Sequence, residues 1–360
     1  MTAKVAVVGG GYGGSAVAKA LDEEADVVLI EPRDAFVHNV AALRALVDPS
    51  WTDEIFFPYD GLLKRGTVVR DRAARADESG VTLASGERIE ADYLVLATGS
   101  GYPFPAKVDV DDSAAAKAAL RATRDALAGA ERVLLLGAGP CGLELAGEIT
   151  AMWPGKAVTI VDPAGDVVTG GYPDEFRAEL RAQLDAMGVE LLLGTSLREE
   201  PPTTPGRAET FTAVTGSGRK VTADIWFRCY GVVPNSGYLA GGLAGARRPD
   251  GQVEVGPDLR LPGRPRTFAV GDLAALPEAK RAGAAGRHAE VVAHNIRALI
   301  AGGDPVATYT PAPPGIALPL GPSGGVSYWA DGGVLGAEET SEIKGAHLMT
   351  GHFRDLFGLS

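Results

Sequence analysis

The sequence has very little cysteine. Its 360 residues include only two, Cys141 and Cys229, which lie far apart along the chain. Two distant cysteines cannot form a disulfide framework, and they lack the CxxC or CxxxxC spacing of a redox-active pair. We therefore expect Cys141 to be a small residue packed in a turn and Cys229 to lie in a core.

Long apolar runs are also missing. No segment approaches the roughly 18 to 20 consecutive apolar residues that a membrane-spanning helix needs. The first residues lead directly into the apolar run at 5–8 and lack the charged region, apolar region and cleavage site of a secretory leader. These features predict a cytoplasmic protein whose contact with a membrane is at most peripheral.

Positive charge is in deficit. Lys and Arg number 34 against 46 Asp and Glu, which gives a net charge of −12 and an isoelectric point near 5.0. An acidic surface repels nucleic acids and anionic membranes, so neither is expected as a general partner. The five histidines lack a metal-binding spacing to nearby carboxylates or cysteines, so no metal site is expected. No Ser–His–Asp nucleophile motif is visible either.

The composition is that of an ordinary globular protein. Hydrophobic residues make up 46% of the chain and charged residues 22%, which does not fit a disordered protein. The length predicts about two or three domains.

One structural pattern occurs near the N-terminus. The apolar run at 5–8 leads into the glycine turn GGGYGG at 9–14, and a helical stretch follows at 15–21. A second apolar run, at 27–30, ends on Glu31. The segment predicts a strand, a glycine turn, a helix and a second strand that ends on an acidic residue.

The same pattern recurs later in the chain. The apolar run at 133–136 leads into the glycine turn GAGPCG at 137–142 and a helical stretch at 143–152. The following run, at 158–161, ends on Asp162. Two copies of so demanding a context predict two dinucleotide-binding units.

Each glycine of such a turn removes an obstruction. The first permits the tight turn, the second lets the backbone approach a pyrophosphate, and the third lets the helix and strand pack closely. The acid at the end of the second strand accepts hydrogen bonds from adenosine ribose. The predicted cofactor-binding residues of the two units are Gly9, Gly11, Gly14 and Glu31, and Gly137, Gly139, Gly142 and Asp162.

Asp272 ends another apolar run, TFAVGD at 267–272, and a helix is predicted after it at 282–300. Its carboxylate is placed to accept hydrogen bonds from the ribityl hydroxyls of a flavin, and the helix dipole could stabilise a reduced ring. The alternative interpretation is a helix N-cap. Because the acid follows a buried strand, we favour the flavin.

The chain resembles the pyridine nucleotide-disulfide oxidoreductase superfamily over nearly its whole length. The resemblance rests on both glycine turns with their acids, on LVLATG at 94–99, on GVVPN at 231–235 and on the run at 267–272. It implies FAD in the first unit, NAD(P)H in the second, and Thr98 and Gly99 beside the FAD. It also implies an α/β fold with two Rossmann-like domains, as in glutathione reductase, and a small C-terminal α+β domain.

Three further stretches, at 31–44, 280–289 and 353–357, are similar to the ferroptosis suppressor (apoptosis-inducing factor-like) family, which stands close to type II NADH dehydrogenases. That similarity implies a quinone acceptor, a place for Arg33 in the FAD site and Glu144 near the nicotinamide. His38 and His288 lie in these stretches and could border the flavin. Phe353, Leu356 and Phe357 have a spacing that favours packing over membrane insertion.

We expect an FAD domain at 1–105 and 232–303, an NAD(P)H domain at 106–231 and a C-terminal interface domain at 304–360 that caps the flavin. Without a dithiol relay, electrons must pass from the flavin directly to a small acceptor, for which a quinone is the first hypothesis. NADH should be used at least as well as NADPH, because a 2′-phosphate would meet the charge of Asp162. The alternatives are a ferredoxin or rubredoxin reductase, a metabolite-tailoring oxidoreductase and a redox-responsive NAD-binding signalling protein. The oligomeric state is left open.

Overall fold

The computed structural model describes residues 2–359. Its strands, numbered in chain order, are β1 (Lys4–Val8), β2 (Asp26–Ile30), β3 (Ala35–Val37), β4 (Phe56–Pro58), β5 (Thr67–Val69), β6 (Ala73–Asp77), β7 (Gly80–Leu83), β8 (Arg88–Glu90), β9 (Tyr93–Leu96), β10 (Ser100–Gly101), β11 (Arg132–Leu136), β12 (Ala157–Asp162), β13 (Glu190–Leu193), β14 (Phe211–Val214), β15 (Lys220–Ala223), β16 (Ile225–Arg228), β17 (Val233–Pro234), β18 (Thr267–Ala269), β19 (Gly315–Leu320), β20 (Gly324–Trp329) and β21 (Gly333–Leu335). Its α-helices are α1 (Tyr12–Leu21), α2 (Ala42–Val47), α3 (Ser113–Gly129), α4 (Pro140–Met152), α5 (Asp174–Ala186), α6 (Gly241–Ala244), α7 (Ala282–Ile300), α8 (Ala337–Thr340) and α9 (Thr350–Leu356).

The first glycine turn belongs to a parallel sheet with the strand order β18-β9-β1-β2-β5. Strand β1 is central, and its apolar residues are buried because neighbouring strands and helices cover it on all sides. Helices α1 and α7 pack together beside it, with an ideal Cβ on Gly13 lying 3.6 Å from Ala285 Cβ of α7. Strand β18 comes from late in the chain, so residues distant in sequence complete this sheet.

The second glycine turn belongs to a second parallel sheet, with the order β13-β12-β11-β16. Helices α3, α4 and α5 contribute the apolar residues of its core, among them Leu120, Leu143 and Phe176, each fully buried. The two parallel sheets, each with a glycine turn after its central strand, confirm the predicted α/β fold class. The division into domains at the expected boundaries remains a prediction.

The predicted strand region at 88–100 divides into separate strands. Strand β8 joins an antiparallel sheet with β6 and β7, whereas β9 joins the first parallel sheet. The chain turns between them at Asp92, whose carboxylate accepts a hydrogen bond of 2.8 Å from the Lys4 backbone N–H. That contact holds the start of β9 beside the start of β1. It thereby directs the chain from the antiparallel sheet into the first parallel sheet.

The C-terminal segment forms an antiparallel sheet, β19-β20-β21, which packs on α4 and α5 of the second sheet. The Gln183 side chain holds the Gly325 backbone at both its N–H, at 2.7 Å, and its carbonyl, at 3.0 Å. Helix α9 lies elsewhere, against the first sheet, where the Phe357 ring is fully buried 4.7 Å from the Phe36 ring. Phe353 and Leu356 pack against the same apolar cluster, so this face of the tail is used in packing.

Within residues 2–359, no helix is both long enough and apolar enough to cross a membrane.

Candidate cofactor sites

The first glycine turn has the geometry that its sequence predicts. Gly9 has φ +103°, and a Cβ there would lie 2.5 Å from the Ala97 carbonyl oxygen. A Cβ on Gly14 would lie 1.8 Å from the Gly9 carbonyl oxygen, so only glycine lets α1 start this close to β1. Gly11 is the N-cap of α1 and faces open space. That space, at a helix N-terminus with free N–H groups, fits a pyrophosphate.

The second turn repeats these features. Gly137 has φ +115°, and a Cβ there would lie 2.8 Å from the Cys229 carbonyl oxygen. A Cβ on Gly142 would lie 1.9 Å from the Gly137 carbonyl oxygen, and Gly139 is the N-cap of α4 with open space in front of it. The two turns are therefore built in the same way and fit the same kind of ligand group.

The two acids take equivalent positions. Glu31 Oε2 accepts a hydrogen bond of 2.6 Å from the Gly10 N–H, and Asp162 Oδ2 accepts one of 2.6 Å from the Ala138 N–H. In each case the donor is the residue between the first two glycines of the turn. This bond holds each carboxylate at the carboxyl end of the sheet, beside the helix N-terminus, where an adenosine ribose would lie.

Arg33 and Thr98 lie beside the first turn. Arg33 is near Glu31, with a nitrogen 3.5 Å from Glu31 Oε1, and its buried Nε has no partner. The Thr98 hydroxyl donates to the Asn235 carbonyl at 2.7 Å, while the Asn235 side chain donates to the Thr98 carbonyl at 3.1 Å. Gly99 follows with φ +60° and open space around it. The predicted ATG stretch is thus tied to the GVVPN stretch by a reciprocal pair of hydrogen bonds.

Asp272 lies in a 3-10 turn, Gly271–Leu273, and accepts hydrogen bonds from Ser100 Oγ at 2.6 Å and Lys107 Nζ at 3.0 Å. Burial alone would raise the pKa of Asp272, but the Lys107 charge and the Ser100 hydroxyl lower it below its usual range. Helix α7 begins only at Ala282, with Arg281 at its N-cap. The alternative interpretation of Asp272 as an N-cap of that helix is therefore wrong.

Glu144 lies on α4, two residues beyond the second glycine turn. Its Oε1 accepts a hydrogen bond of 2.7 Å from Lys344 Nζ, and both side chains are largely buried. Lys344 belongs to the π-helical turn Ser341–Gly345 of the C-terminal segment. Sequence reasoning missed both Lys107 and Lys344, because each lysine meets its carboxylate only through the tertiary fold.

A cleft of about 220 Å³ opens beside the second turn. It is lined by Tyr102, Gly137, Ala138, Gly139, Asp162, Asp166, Val168, Thr169, Cys229 and Tyr230. Two basic side chains nearby are already paired: Arg181 with Asp166, and Arg177 with the Tyr172 and Gly170 carbonyls at 2.6 and 2.7 Å. Lys156 precedes the other end of β12 and is held by the Ala128 carbonyl at 2.9 Å. Asp162, at the end of β12, and Gly139, at the N-cap of α4, thus face the same cleft.

Both cysteines belong to this second site. Cys229 is buried, Cys141 is half-buried, and the Tyr102 hydroxyl donates to the Cys229 carbonyl at 2.6 Å. The neighbouring Cys141 thiol and burial both raise the pKa of Cys229 well above its usual range. The Cys229 thiol is therefore a packed, protonated group, as expected of a core residue.

His38 and His288 are both buried. Burial, with a smaller effect of the Lys344 and His352 charges, lowers the pKa of His38 to about 4. Its Nε2 lies 2.8 Å from the Leu348 carbonyl oxygen, so Nε2 is the donor, and Nδ1 accepts from the Tyr12 hydroxyl at 3.1 Å. Among the described residues, no group of three or more His, Cys, Asp or Glu side chains could hold a metal ion.

Comparison with known proteins agrees with this geometry. The sequence profile of pyridine nucleotide-disulphide oxidoreductase matches residues 3–289. The chain belongs to this family. It is 33% identical over 330 residues to ferroptosis suppressor protein 1 of Taeniopygia guttata, covering 90% of this chain and 87% of the relative. It is 29% identical over 366 residues to apoptosis-inducing factor homolog B of Dictyostelium discoideum, covering 96% and 94%.

Solved structures share the fold. The sulfide:quinone oxidoreductase from Aquifex aeolicus superposes with a TM-score of 0.79 at 18% identity, covering 99% of this chain and 91% of that one. The water-forming NADH oxidase from Lactobacillus brevis gives a TM-score of 0.66 at 23% identity, covering 88% and 73%. The protein is thus an oxidoreductase of this family, and its cofactors are FAD and NAD(P)H.

Proposed function

We propose that the protein passes reducing equivalents from NAD(P)H through bound FAD to a small acceptor, a quinone in the first instance. The observation that supports this most is the placement of the two cysteines. Cys141 is in the first turn of α4, within the second glycine turn, and the Cys229 backbone packs against Gly137 of the same turn. The chain therefore offers no thiol pair beside the proposed flavin site, and the acceptor must receive electrons without a dithiol relay.

The roles of the site residues follow from their positions. We assign FAD to the first turn and NAD(P)H to the second, with the residues predicted from the sequence: Gly9, Gly11, Gly14, Glu31, Arg33, Thr98, Gly99 and Asp272 for FAD, and Gly137, Gly139, Gly142 and Asp162 for NAD(P)H. The chemistry that these cofactors supply when bound is hydride transfer followed by delivery of two electrons. The protein binds and orients them, and Asp272 stays ionised because Lys107 and Ser100 hold it.

Glu144 is assigned to the region where the nicotinamide would meet the flavin. Its pairing with Lys344 keeps a negative charge from being left alone in a largely buried position. A carboxylate whose charge is balanced by Lys344 can orient an amide or hydroxyl of the cofactor without repelling its phosphates.

The domain organisation stays part of the proposal. Residues 1–105 and 232–303 would form the FAD domain, residues 106–231 the NAD(P)H domain and residues 304–360 the C-terminal domain. The return of β18 to the first sheet and the packing of β19–β21 on α4 and α5 support this division.

The test is an acceptor screen on the purified holoprotein. We expect a yellow protein whose FAD is released into the supernatant by acid precipitation, because the glycine turn at 9–14 supplies a noncovalent cradle for the pyrophosphate. NADH oxidation should be supported by a soluble quinone and not by a ferredoxin or rubredoxin, whose docking usually needs a basic surface. Turnover with a carrier protein alone would overturn the quinone assignment, and negligible turnover with every acceptor would indicate a signalling role.

A further inference from the structure

A buried polar cluster lies behind Asp272 and has no part in the chemistry described above. His288, on α7, is 1% exposed, and the Glu278 side chain is 7% exposed. His288 Nδ1 accepts a hydrogen bond of 3.0 Å from the Gly271 N–H, so the ring proton lies on Nε2, which donates to Glu278 Oε1 at 2.7 Å. The Tyr309 hydroxyl donates to the other oxygen of Glu278 at 2.7 Å.

The contact with Gly271 bears directly on Asp272. Gly271 has φ +68° and starts the 3-10 turn in which Asp272 is the second residue. A hydrogen bond to the Gly271 N–H holds the Val270–Gly271 peptide, which is the entry to the turn and lies one peptide before the Asp272 Cα. Glu278, which pairs with His288, lies in the loop that joins this turn to α7. The cluster is therefore linked to the turn along the chain as well as through His288.

We propose that His288, held by Glu278, is a positioning residue that aims Asp272 at the FAD. The inference rests on the proposed assignment of Asp272 to the flavin site. In this proposal His288 acts through the Gly271 N–H, from which its Nδ1 accepts a hydrogen bond.

The protonation state of His288 suits this role. Burial lowers the pKa of His288, although Glu278 opposes the effect. The other charged or titratable groups around it are Arg287, 3.8 Å from Glu278, together with Tyr309 and Lys280. A neutral ring keeps an acceptor at Nδ1, whereas a protonated ring would present a donor to the Gly271 N–H.

The experiment compares FAD affinity of the apoprotein, measured by quenching of flavin fluorescence, in three variants at position 288. In His288→Asn the amide oxygen can take the place of Nδ1 and accept from Gly271. In His288→Gln the amide reaches the Nε2 position and faces Glu278 instead. We expect His288→Ala and His288→Gln to raise the Kd for FAD at least tenfold, and His288→Asn to recover most of the affinity.

Asn295→Ala is the matched control. Asn295 is fully buried on the same helix and holds the Ala307 backbone through two hydrogen bonds, of 2.8 and 2.9 Å, and its hydrogen bonds go to Ala307 and Asp258 and not to the Gly271 turn. This variant should lose thermal stability as His288→Ala does while changing the Kd for FAD less than threefold. Equal losses of FAD affinity in the two variants, or equal affinities of the Asn and Gln variants, would overturn the proposal.

Asp272→Ala distinguishes the positioning role of His288 from the assignment of Asp272 to the flavin site. If His288 acts through Asp272, the double variant should bind FAD no more weakly than Asp272→Ala alone. If Asp272→Ala weakens FAD binding but His288→Ala does not, the positioning role is wrong and the site assignment stands. If Asp272→Ala leaves the affinity unchanged, the site assignment fails and the positioning role fails with it.

Discussion

Asp162 shares its cleft with a second carboxylate, Asp166. Burial would raise the pKa of Asp166, but the paired Arg181 lowers it below its usual range, so Asp166 is ionised at neutral pH. The 2′-phosphate of NADPH would meet the carboxyl groups of Asp162 and Asp166, and the nearby Arg177 and Arg181 are already held by other partners. The preference of the site for NADH over NADPH therefore depends on individual side chains.

We expect NADH to be used at least as well as NADPH. Asp162→Ala should narrow the difference, chiefly by raising KM for NADH, because the ribose hydroxyls lose their acceptor. Asp185→Ala, which removes an exposed carboxylate from α5, is the control and should leave the ratio unchanged. The measurement is kcat/KM for both cofactors with one quinone. A preference for NADPH above about tenfold, roughly 1.4 kcal/mol, would show that the role given to Asp162 is wrong.

Protonation of His38 should lower the stability of the folded protein in mild acid. Its pKa is about 4 in the folded protein against 6.5 when unfolded, so its contribution is complete above pH 6.5 and falls as the pH drops towards 4. The loss at pH 4 is on the order of 3 kcal/mol. His38→Gln should be less stable at pH 7 and should lose less stability between pH 7 and 5 than the wild type, as measured by urea unfolding. His294→Gln, which changes an exposed histidine that has no part in the shift of His38, should follow the wild-type curve; parallel curves for all three proteins would contradict the assignment.

At the scale of secondary-structure elements, the close approach of helix and strand depends on the third glycine of each turn. Gly142→Ala places a methyl group within about 2 Å of the Gly137 carbonyl oxygen, so α4 must move away from β11. We expect the KM for NADH, measured with one quinone, to rise at least tenfold while the FAD content stays near normal. Gly286→Ala is the control, since this glycine lies within α7 with nothing near its missing Cβ, and it should stabilise the protein by about 0.5–1 kcal/mol. A normal affinity for NADH in Gly142→Ala would disprove the packing argument.

The elements that the sequence predicts correctly are those with local determinants. The runs at 5–8 and 133–136 form strands because several apolar residues in succession suit a buried parallel sheet, and each glycine turn follows from steric demands within a few residues. The helix at 282–300 is likewise found where its pattern places it. In each case the information needed lies inside one segment.

The parts that sequence reasoning missed depend on contacts between distant segments. Lys107 meets Asp272, and Lys344 meets Glu144, although no pattern in the chain relates these positions. The separation of β8 from β9 depends on a hydrogen bond to Lys4 at the start of the chain. A single sequence contains the members of such pairs but not the tertiary geometry that selects them.

At the scale of the whole molecule, three regions meet at one buried arginine. Arg44 on α2 pairs with Glu148 on α4, and its guanidinium donates to the Gly345 carbonyl at 2.9 Å. The two side chains are only 5% and 4% exposed. Helix α2 follows the first unit of the sequence, α4 belongs to the second, and Gly345 belongs to the C-terminal segment, so a single side chain connects all three.

Removing one member of this pair should therefore cost far more than removing both. Arg44→Met leaves the Glu148 carboxylate buried without its partner, and Glu148→Met leaves the guanidinium, so each should lower the free energy of unfolding by about 3–5 kcal/mol. The double variant replaces two desolvated charges by apolar side chains and should recover at least half of either loss, because neither charge then remains unpaired. Urea unfolding of the holoprotein at pH 7 measures all four proteins. Arg72→Met, which breaks the exposed pair with Asp111, is the control and should cost less than about 1 kcal/mol. If the losses of the two single variants simply add in the double variant, Arg44 and Glu148 act independently and the junction does not couple the three regions.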